Sequence, residues 1–193
     1  NPKMGEVWDT FITTEEPYKT YYIPQGDYIL RELSPNVEMG YVTAEDIKFT
    51  VENTTDLQTL EMKDDHTKIK IIKVDKETKE PIANTVLSLI PLDDEGKPKK
   101  GETFLTEMTD EKGEINSIYV PMGKYIIRED RPNIEMGYVT TEDMVIEVVD
   151  TPGLQEFIME DDHTKVEITK TDLVTGDVVI GAQLQIIPLD DEG

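Results

Sequence analysis

A chain of 193 residues with 42 acidic against 19 basic side chains carries a formal charge of −23, and so acidic a surface repels phosphate, which excludes nucleic acid as a partner. There is no cysteine, so neither disulfides nor thiolate metal sites hold the fold. No apolar run approaches the roughly 20 residues that cross a bilayer and no signal-peptide pattern opens the chain, so no membrane insertion is expected of this segment.

Taken in chain order, the sequence alternates rather than coils. "YYIPQGDYILRE" (21–32) leads into "RELSPNVEMGYVTAED" (31–46), and the polar "DDHTK" (64–68) closes that stretch. β-Rich runs follow at "KIKIIKVD" (68–75), "TVLSLIPL" (85–92), "ETFLTEM" (102–108), "INSIYVP" (115–121), "KYIIRED" (124–130), "DMVIEVVD" (143–150) and "LQEFIME" (154–160). Turn chemistry separates them at Asp94-Glu95-Gly96, Lys112-Gly113, Met122-Gly123 and Thr151-Pro152-Gly153. About seven short strands within one hundred residues predict an all-β, immunoglobulin-like sandwich, with helix limited to a single capped turn near "TTED" (140–143). Such regular alternation also argues against disorder, which the charge alone would permit.

The chain repeats itself. "REDRPNIEMGYVTTED" from Arg128 repeats the segment from Arg31, and "DDHTK" recurs at Asp161, both at an offset of 97 residues. Residues 31–96 align with 128–193 without a gap, and about half of those positions are identical. A period this long is a small domain rather than a solenoid rung. With boundaries at the "DDHT" segments, 67–163 is one complete unit, 1–66 the later part of a preceding unit and 164–193 the opening strands of a following one. Neither flanking piece is expected to bury a full core alone. Together the two pieces make one unit, so 164–193 of one copy is expected to complete 1–66 of a neighbour, unless the ends reflect a truncation.

Three charged residues fall on apolar parities. Lys73 follows Ile69 and Ile71, as Lys170 follows Val166 and Ile168; Glu129 shares a face with Tyr125 and Ile127, as Glu32 does with Tyr28 and Leu30; Asp161 shares one with Phe157 and Met159, as Asp64 does with Leu60 and Met62. Burying one unpaired charge costs several kcal/mol, so the three must meet. Either they form a non-covalent cluster, or a desolvated neutral amine attacks a protonated carboxyl while the second acid relays protons, leaving an amide and releasing water.

These residues also carry a resemblance. "ITKTDLVTGDVVIGAQLQI" and "IKVDKETKEPIANTVLSLI" resemble the opening strands of Cna B-type, or SpaA-like prealbumin-like, domains of Gram-positive surface adhesins and pilins, and "VPMGKYIIREDRPNIEMGY" is similar to that family's Pro-Gly-Lys-Tyr, strand, Glu, Pro, Gly-Tyr segment. The resemblance covers essentially the whole chain. It implies tandem β-sandwich units with an autocatalytic isopeptide bond, placing the bond on Lys73 and Asp161 with Glu129 as proton relay, and on Lys170 and Asp64 with Glu32 for the split unit. The family's usual acceptor is Asn; here the register offers Asp161 or adjacent Asp162, and Asp64 or Asp65.

Other signals are weaker. "EDDHTK" (160–165) and "KDDHTK" (63–68) read as solvated linkers rather than cation sites, and "LDDEG" (92–96 and 189–193) as a tight turn, since it lacks an EF-hand's ligand spacing. Trp8, Tyr18, Tyr21 and Tyr22 read as core or cross-strand residues. No phosphate loop, zinc motif or nucleophile–histidine pattern is present, so no cofactor, no metal and no action on external substrates is expected. The expected protein is a structural fibre or stalk outside a Gram-positive cell, in the wall or a surface appendage, with copies of itself as partners. The competing class is an adhesin whose units bind host protein or glycan.

Overall fold

The computed structural model describes residues 5–189, which fold as strands with two short 3-10 turns. In chain order the strands are β1 (Gly26–Leu30), β2 (Ile47–Val51), β3 (Lys68–Asp75), β4 (Val86–Pro91), β5 (Leu105–Met108), β6 (Glu114–Ile118), β7 (Gly123–Arg131), β8 (Met144–Val148) and β9 (Leu154–Asp161). β6, β3 and β9 form one sheet and β5, β4, β7 and β8 another, while β1 and β2 pair as a hairpin. The described residues form an all-β chain, as the alternation predicts.

Parity explains the packing. In β3 the side chains of Ile69, Ile71 and Lys73 point in, and those of Lys68, Lys70 and Ile72 are only half-buried. Ile69 and Ile71 meet Leu87 and Leu89 of β4, Tyr125 and Ile127 of β7, and Met159 of β9 in one core. Each such buried aliphatic side chain contributes about 1.5–3 kcal/mol. β3 and β9 run parallel, Lys68 opposite Leu154 through Asp75 opposite Asp161, so the first and last strands of the sandwich lie side by side.

Where strands end, local chemistry decides. β6 stops at Ile118 because Tyr119 turns to φ +57, a backbone conformation that bulky residues rarely adopt. The expected helical turn at 140–143 is absent. Helical geometry occurs instead at Val37–Met39 and Ile134–Met136, each closed by a left-handed glycine, Gly40 and Gly137, whose N–H bonds back to Val37 O and Ile134 O at 3.1 and 3.0 Å. The N–H of Thr141 is committed elsewhere, to a carboxylate described below, so the capping residues there have no turn to close.

The two copies share local detail. Arg128 donates twice to Asp143, at 3.0 and 2.6 Å, and Arg31 donates to Asp46 at 2.9 and 2.6 Å. The Tyr125 hydroxyl donates to Pro121 O and that of Tyr28 to Pro24 O. Residues 164–189 form no named strand but keep turns and an antiparallel bridge from Thr171 to Val178: the Asp172 carboxylate accepts from the N–H groups of Val174 and Thr175, as Asp75 accepts from Glu77 and Thr78. Their side chains are exposed throughout.

Candidate functional site

Lys73, Glu129 and Asp161 converge inside the sandwich. Their side chains are wholly excluded from solvent; Lys73 Nζ is ion-paired with Asp161 Oδ1 and lies 3.3 Å from Glu129 Oε1. The parallel register sets the first contact. Lys73 stands opposite Met159, so Asp161, two residues further along β9, is its diagonal neighbour on the same face. Glu129 arrives from the other sheet, on β7, where it stands opposite Leu87.

Each member is oriented by backbone. The Thr141 N–H donates to Glu129 Oε2 at 2.8 Å, which leaves Oε1 facing the lysine. Lys73 N donates to Gly113 O at 2.8 Å and Lys73 O accepts from Ile82 N at 2.9 Å, so its main chain is held on both sides. Gly113 has φ +71, and a Cβ there would meet Lys73 O, so glycine is required at this close approach. Asp161 O accepts from Lys76 N at 2.8 Å.

Beyond these contacts, Lys73 Nζ, Glu129 Oε1 and both oxygens of Asp161 have no hydrogen-bond partner among the described residues. Burial is the largest influence on the Asp161 carboxyl and pushes it up to about 7; Lys73 opposes the shift and Glu129 adds to it. The site therefore holds an amine beside a carboxyl group whose hold on its proton burial strengthens, with a second carboxyl group alongside and all three side chains wholly buried.

Of the sequence-predicted residues, the first set is thus brought together and the second is not. Lys170 and Asp64 are exposed and Glu32 is half-buried. No ion pair joins them among the described residues. Glu32 nevertheless keeps its orienting contact, Oε2 accepting from Ala44 N at 2.7 Å. Asp162 points away from Lys73 and pairs with Lys165 at 2.9 Å, which lowers its carboxyl; Asp65 pairs likewise with Lys68 at 2.8 Å.

Sequence reasoning missed Asp75, which supports the site from beside Lys73. Its carboxylate accepts from Glu77 N at 2.8 Å and Thr78 N at 2.7 Å, and these backbone bonds, Thr78 foremost, hold it down to about 2. The turn they close delivers Lys76 N to Asp161 O. Because this carboxyl is depressed in the folded state, its contribution to stability is present above about pH 4 and lost as pH falls through about 2. Asp75→Asn is expected to melt a few degrees below the parent at pH 7 and to show a shallower acid limb, read by circular dichroism melts from pH 7 to 2.

The two weaker signals resolve as local structure. Asp93 Oδ1 accepts from Glu95 N and Lys97 N at 3.0 and 2.9 Å, which makes "LDDEG" at 92–96 a turn; the second copy extends past the described residues. Glu77, Asp162 and His163 gather their ligand atoms within 4.8 Å of one another. The Lys165 ammonium already bridges Glu77 and Asp162 at 2.7 and 2.9 Å.

A family model for the SpaA prealbumin-like fold domain matches residues 67–163. The chain belongs to this family. The matched span includes every member of the buried Lys73–Glu129–Asp161 cluster and both sheets of the prealbumin-like sandwich. No curated protein sequence matches. Among solved structures, the Bacillus anthracis TIE protein is 28% identical over 73% of this chain and 26% of its own, with a TM-score of 0.46. A Streptococcal ancillary pilin is 24% identical over 81% of this chain and 51% of its own, TM-score 0.45. The shaft pilin spaA from Lactobacillus rhamnosus GG is 14% identical over 74% and 66%, TM-score 0.40. The chain thus spans about a quarter and about a half of the first two. No described helix is long and apolar enough to cross a membrane.

Proposed function

We propose that this chain is a tension-bearing segment of a pilus-type fibre or stalk on a Gram-positive surface, locked internally by an amide between Lys73 and Asp161. The observation that carries the reading is the fully buried amine held between Asp161, whose carboxyl oxygens have no other partner among the described residues, and Glu129, whose Oε2 is taken by Thr141 N–H and whose Oε1 faces the amine. As an ion cluster it would be a poor investment in stability, since desolvation offsets most of the Coulomb gain.

The chemistry balances without a cofactor. Neutral Lys73 Nζ attacks Cγ of protonated Asp161, and Glu129 Oε1 accepts a proton from the attacking nitrogen. Glu129 then returns that proton to the departing hydroxyl, so one C–N bond forms, one C–O bond breaks and one water leaves. A dry site with pre-oriented groups supplies the rate.

The amide's place also suits a load-bearing role. Force applied to the chain on either side of residues 67–163 enters at the start of β3 and leaves at the end of β9. With residues 73 and 161 joined, tension passes across the bond and residues 74–160 carry none of it. Acting as an internal tether, the bond also restricts the unfolded chain as a disulfide would.

The same logic extends between copies. Residues 164–189 carry Lys170 on an exposed segment, and residues 5–66 carry Glu32, already oriented by Ala44 N, with Asp64. Lys170 of one copy meeting Glu32 and Asp64 of a second would rebuild the buried cluster and join copies covalently.

Intact mass of the denatured full chain is the test. A deficit of about one water, absent from Lys73→Ala after correction for the substitution, with a branched peptide joining Lys73 to Asp161, supports the internal amide; an unmodified mass overturns it. A ladder of covalent multimers on a denaturing gel, lost in Lys170→Ala, is the outcome expected for bonds between copies.

A further inference from the structure

Among the described residues, five buried side-chain atoms have no hydrogen-bond partner, and four of them belong to Lys73, Glu129 and Asp161. The fifth is Thr85 Oγ1, on a residue with no exposed surface. A lone buried hydroxyl is a cost that a valine of the same shape would avoid, so its presence calls for a partner.

The backbone brings this hydroxyl to the reactive end of the sandwich. Thr85 precedes β4 on the inward parity of Leu87 and Leu89, and Leu87 stands opposite Glu129. The pairing slips here: Leu87 faces Glu129 but Val86 faces Arg131, an irregularity of the kind that re-aims side chains beside reactive sites. Asn84, just before Thr85, turns through φ +61, a left-handed conformation that asparagine tolerates. A chain of hydrogen bonds then ties Thr85 to the lysine strand. Thr85 N–H donates to Thr109 Oγ1 at 3.0 Å, Thr109 Oγ1 to Ile82 O at 2.8 Å, and Ile82 N–H to Lys73 O at 2.9 Å. Thr109 N–H returns to Thr85 O at 2.9 Å. The main chain of Thr85 is thus fully committed, and only its hydroxyl is left to act.

An attacking amine has one lone pair and two N–H groups. In this site the lone pair goes to Asp161 Cγ and one proton to Glu129 Oε1, which leaves one N–H to be satisfied away from water. We infer that Thr85 is a positioning residue for the condensation: its Oγ1 accepts this second N–H from Lys73 Nζ and so fixes the rotation that aims the lone pair at Asp161. Such contacts tighten only as the reacting arrangement forms. The second hydrogen is not transferred; it stays on nitrogen as the N–H of the finished amide. The inference rests on the amide reading above. It also separates the two copies, because Ala182, after Gly181, is the equivalent of Thr85. A unit opened by Lys170 lacks the hydroxyl and closes its amide more slowly.

Full-length chains made by cell-free synthesis, stopped at intervals in denaturing acid and weighed intact, test it. Thr85→Val keeps the branched shape and removes the hydroxyl; Thr85→Ser keeps the hydroxyl and removes the methyl group. Thr85→Val is expected to lose its water about ten- to a hundredfold more slowly than the parent, and Thr85→Ser at the parental rate. An unchanged rate in Thr85→Val, or equal slowing in both variants, makes Thr85 a packing residue and overturns the inference while the amide stands. A parent that never loses water overturns the amide and this inference with it. In Lys73→Ala, where no bond can form, adding Thr85→Val should leave the melting temperature unchanged or higher; a lower one assigns the hydroxyl to folding and also overturns the inference.

Discussion

Lys73→Ala is expected to lose about 3–5 kcal/mol of stability at pH 7, the cost of removing one partner from a buried charged cluster. It is also expected to acquire a pH dependence that the parent lacks. The Asp161 carboxyl is pushed up to about 7, chiefly by burial, and in this variant the opposing influence of Lys73 is gone while that of Glu129 remains. Its folded form then binds a proton more tightly than the unfolded chain, whose carboxyl titrates near 4. The associated stability is complete below about pH 4 and is lost as pH rises through about 7. Melting temperatures of Lys73→Ala should therefore be higher at pH 5 than at pH 8. In the parent, where the amide has consumed the carboxyl, that slope should vanish. An identical slope in both chains would mean that Asp161 still titrates in the parent, and the amide reading would fail.

Much of this site was legible because two independent signals coincide. Period-two alternation placed Lys73, Glu129 and Asp161 on inward faces, and the 97-residue repeat presented the same anomaly twice. What alternation cannot specify is contact through the main chain. Thr141 orients Glu129 by its N–H, and in the first copy Ala44 does the same for Glu32, so the side chain at that position carries no signal. Alternation also leaves adjacent Asp162 open, and the β3–β9 register brings Asp161 diagonal to Lys73.

The burial of Thr67 was hidden for a different reason. "DDHT" reads as a solvated linker by polarity, yet Thr67 is fully buried because its hydroxyl donates to Val120 O at 2.6 Å and its N–H to Gly40 O. Polar residues that satisfy one another locally are indistinguishable in sequence from polar residues that face water. Tyr22 inverts the same lesson: an aromatic residue among alternating strands reads as core, and in this chain it is almost wholly exposed.

Glu129→Gln separates proton transfer from packing. The amide side chain keeps the shape of the glutamate and an oxygen to accept the Thr141 N–H, now 2.8 Å from Glu129 Oε2, but it cannot take a proton from Lys73 and return it to the departing hydroxyl. A general acid–base group contributes about 10²–10⁴-fold to such a step. Freshly purified Glu129→Gln should therefore carry the full sequence mass and lose water on incubation slower than the parent by that factor, followed by intact mass over days. It should melt above Lys73→Ala at pH 7, because Lys73 and Asp161 remain ion-paired and no buried carboxylate is orphaned. Condensation at the parental rate would assign Glu129 a packing role and leave desolvation of the Lys73–Asp161 pair as the whole source of reactivity. Full mass together with the intermediate melting temperature would show that folding assembles the site first and that the bond follows as chemistry performed by the folded sandwich.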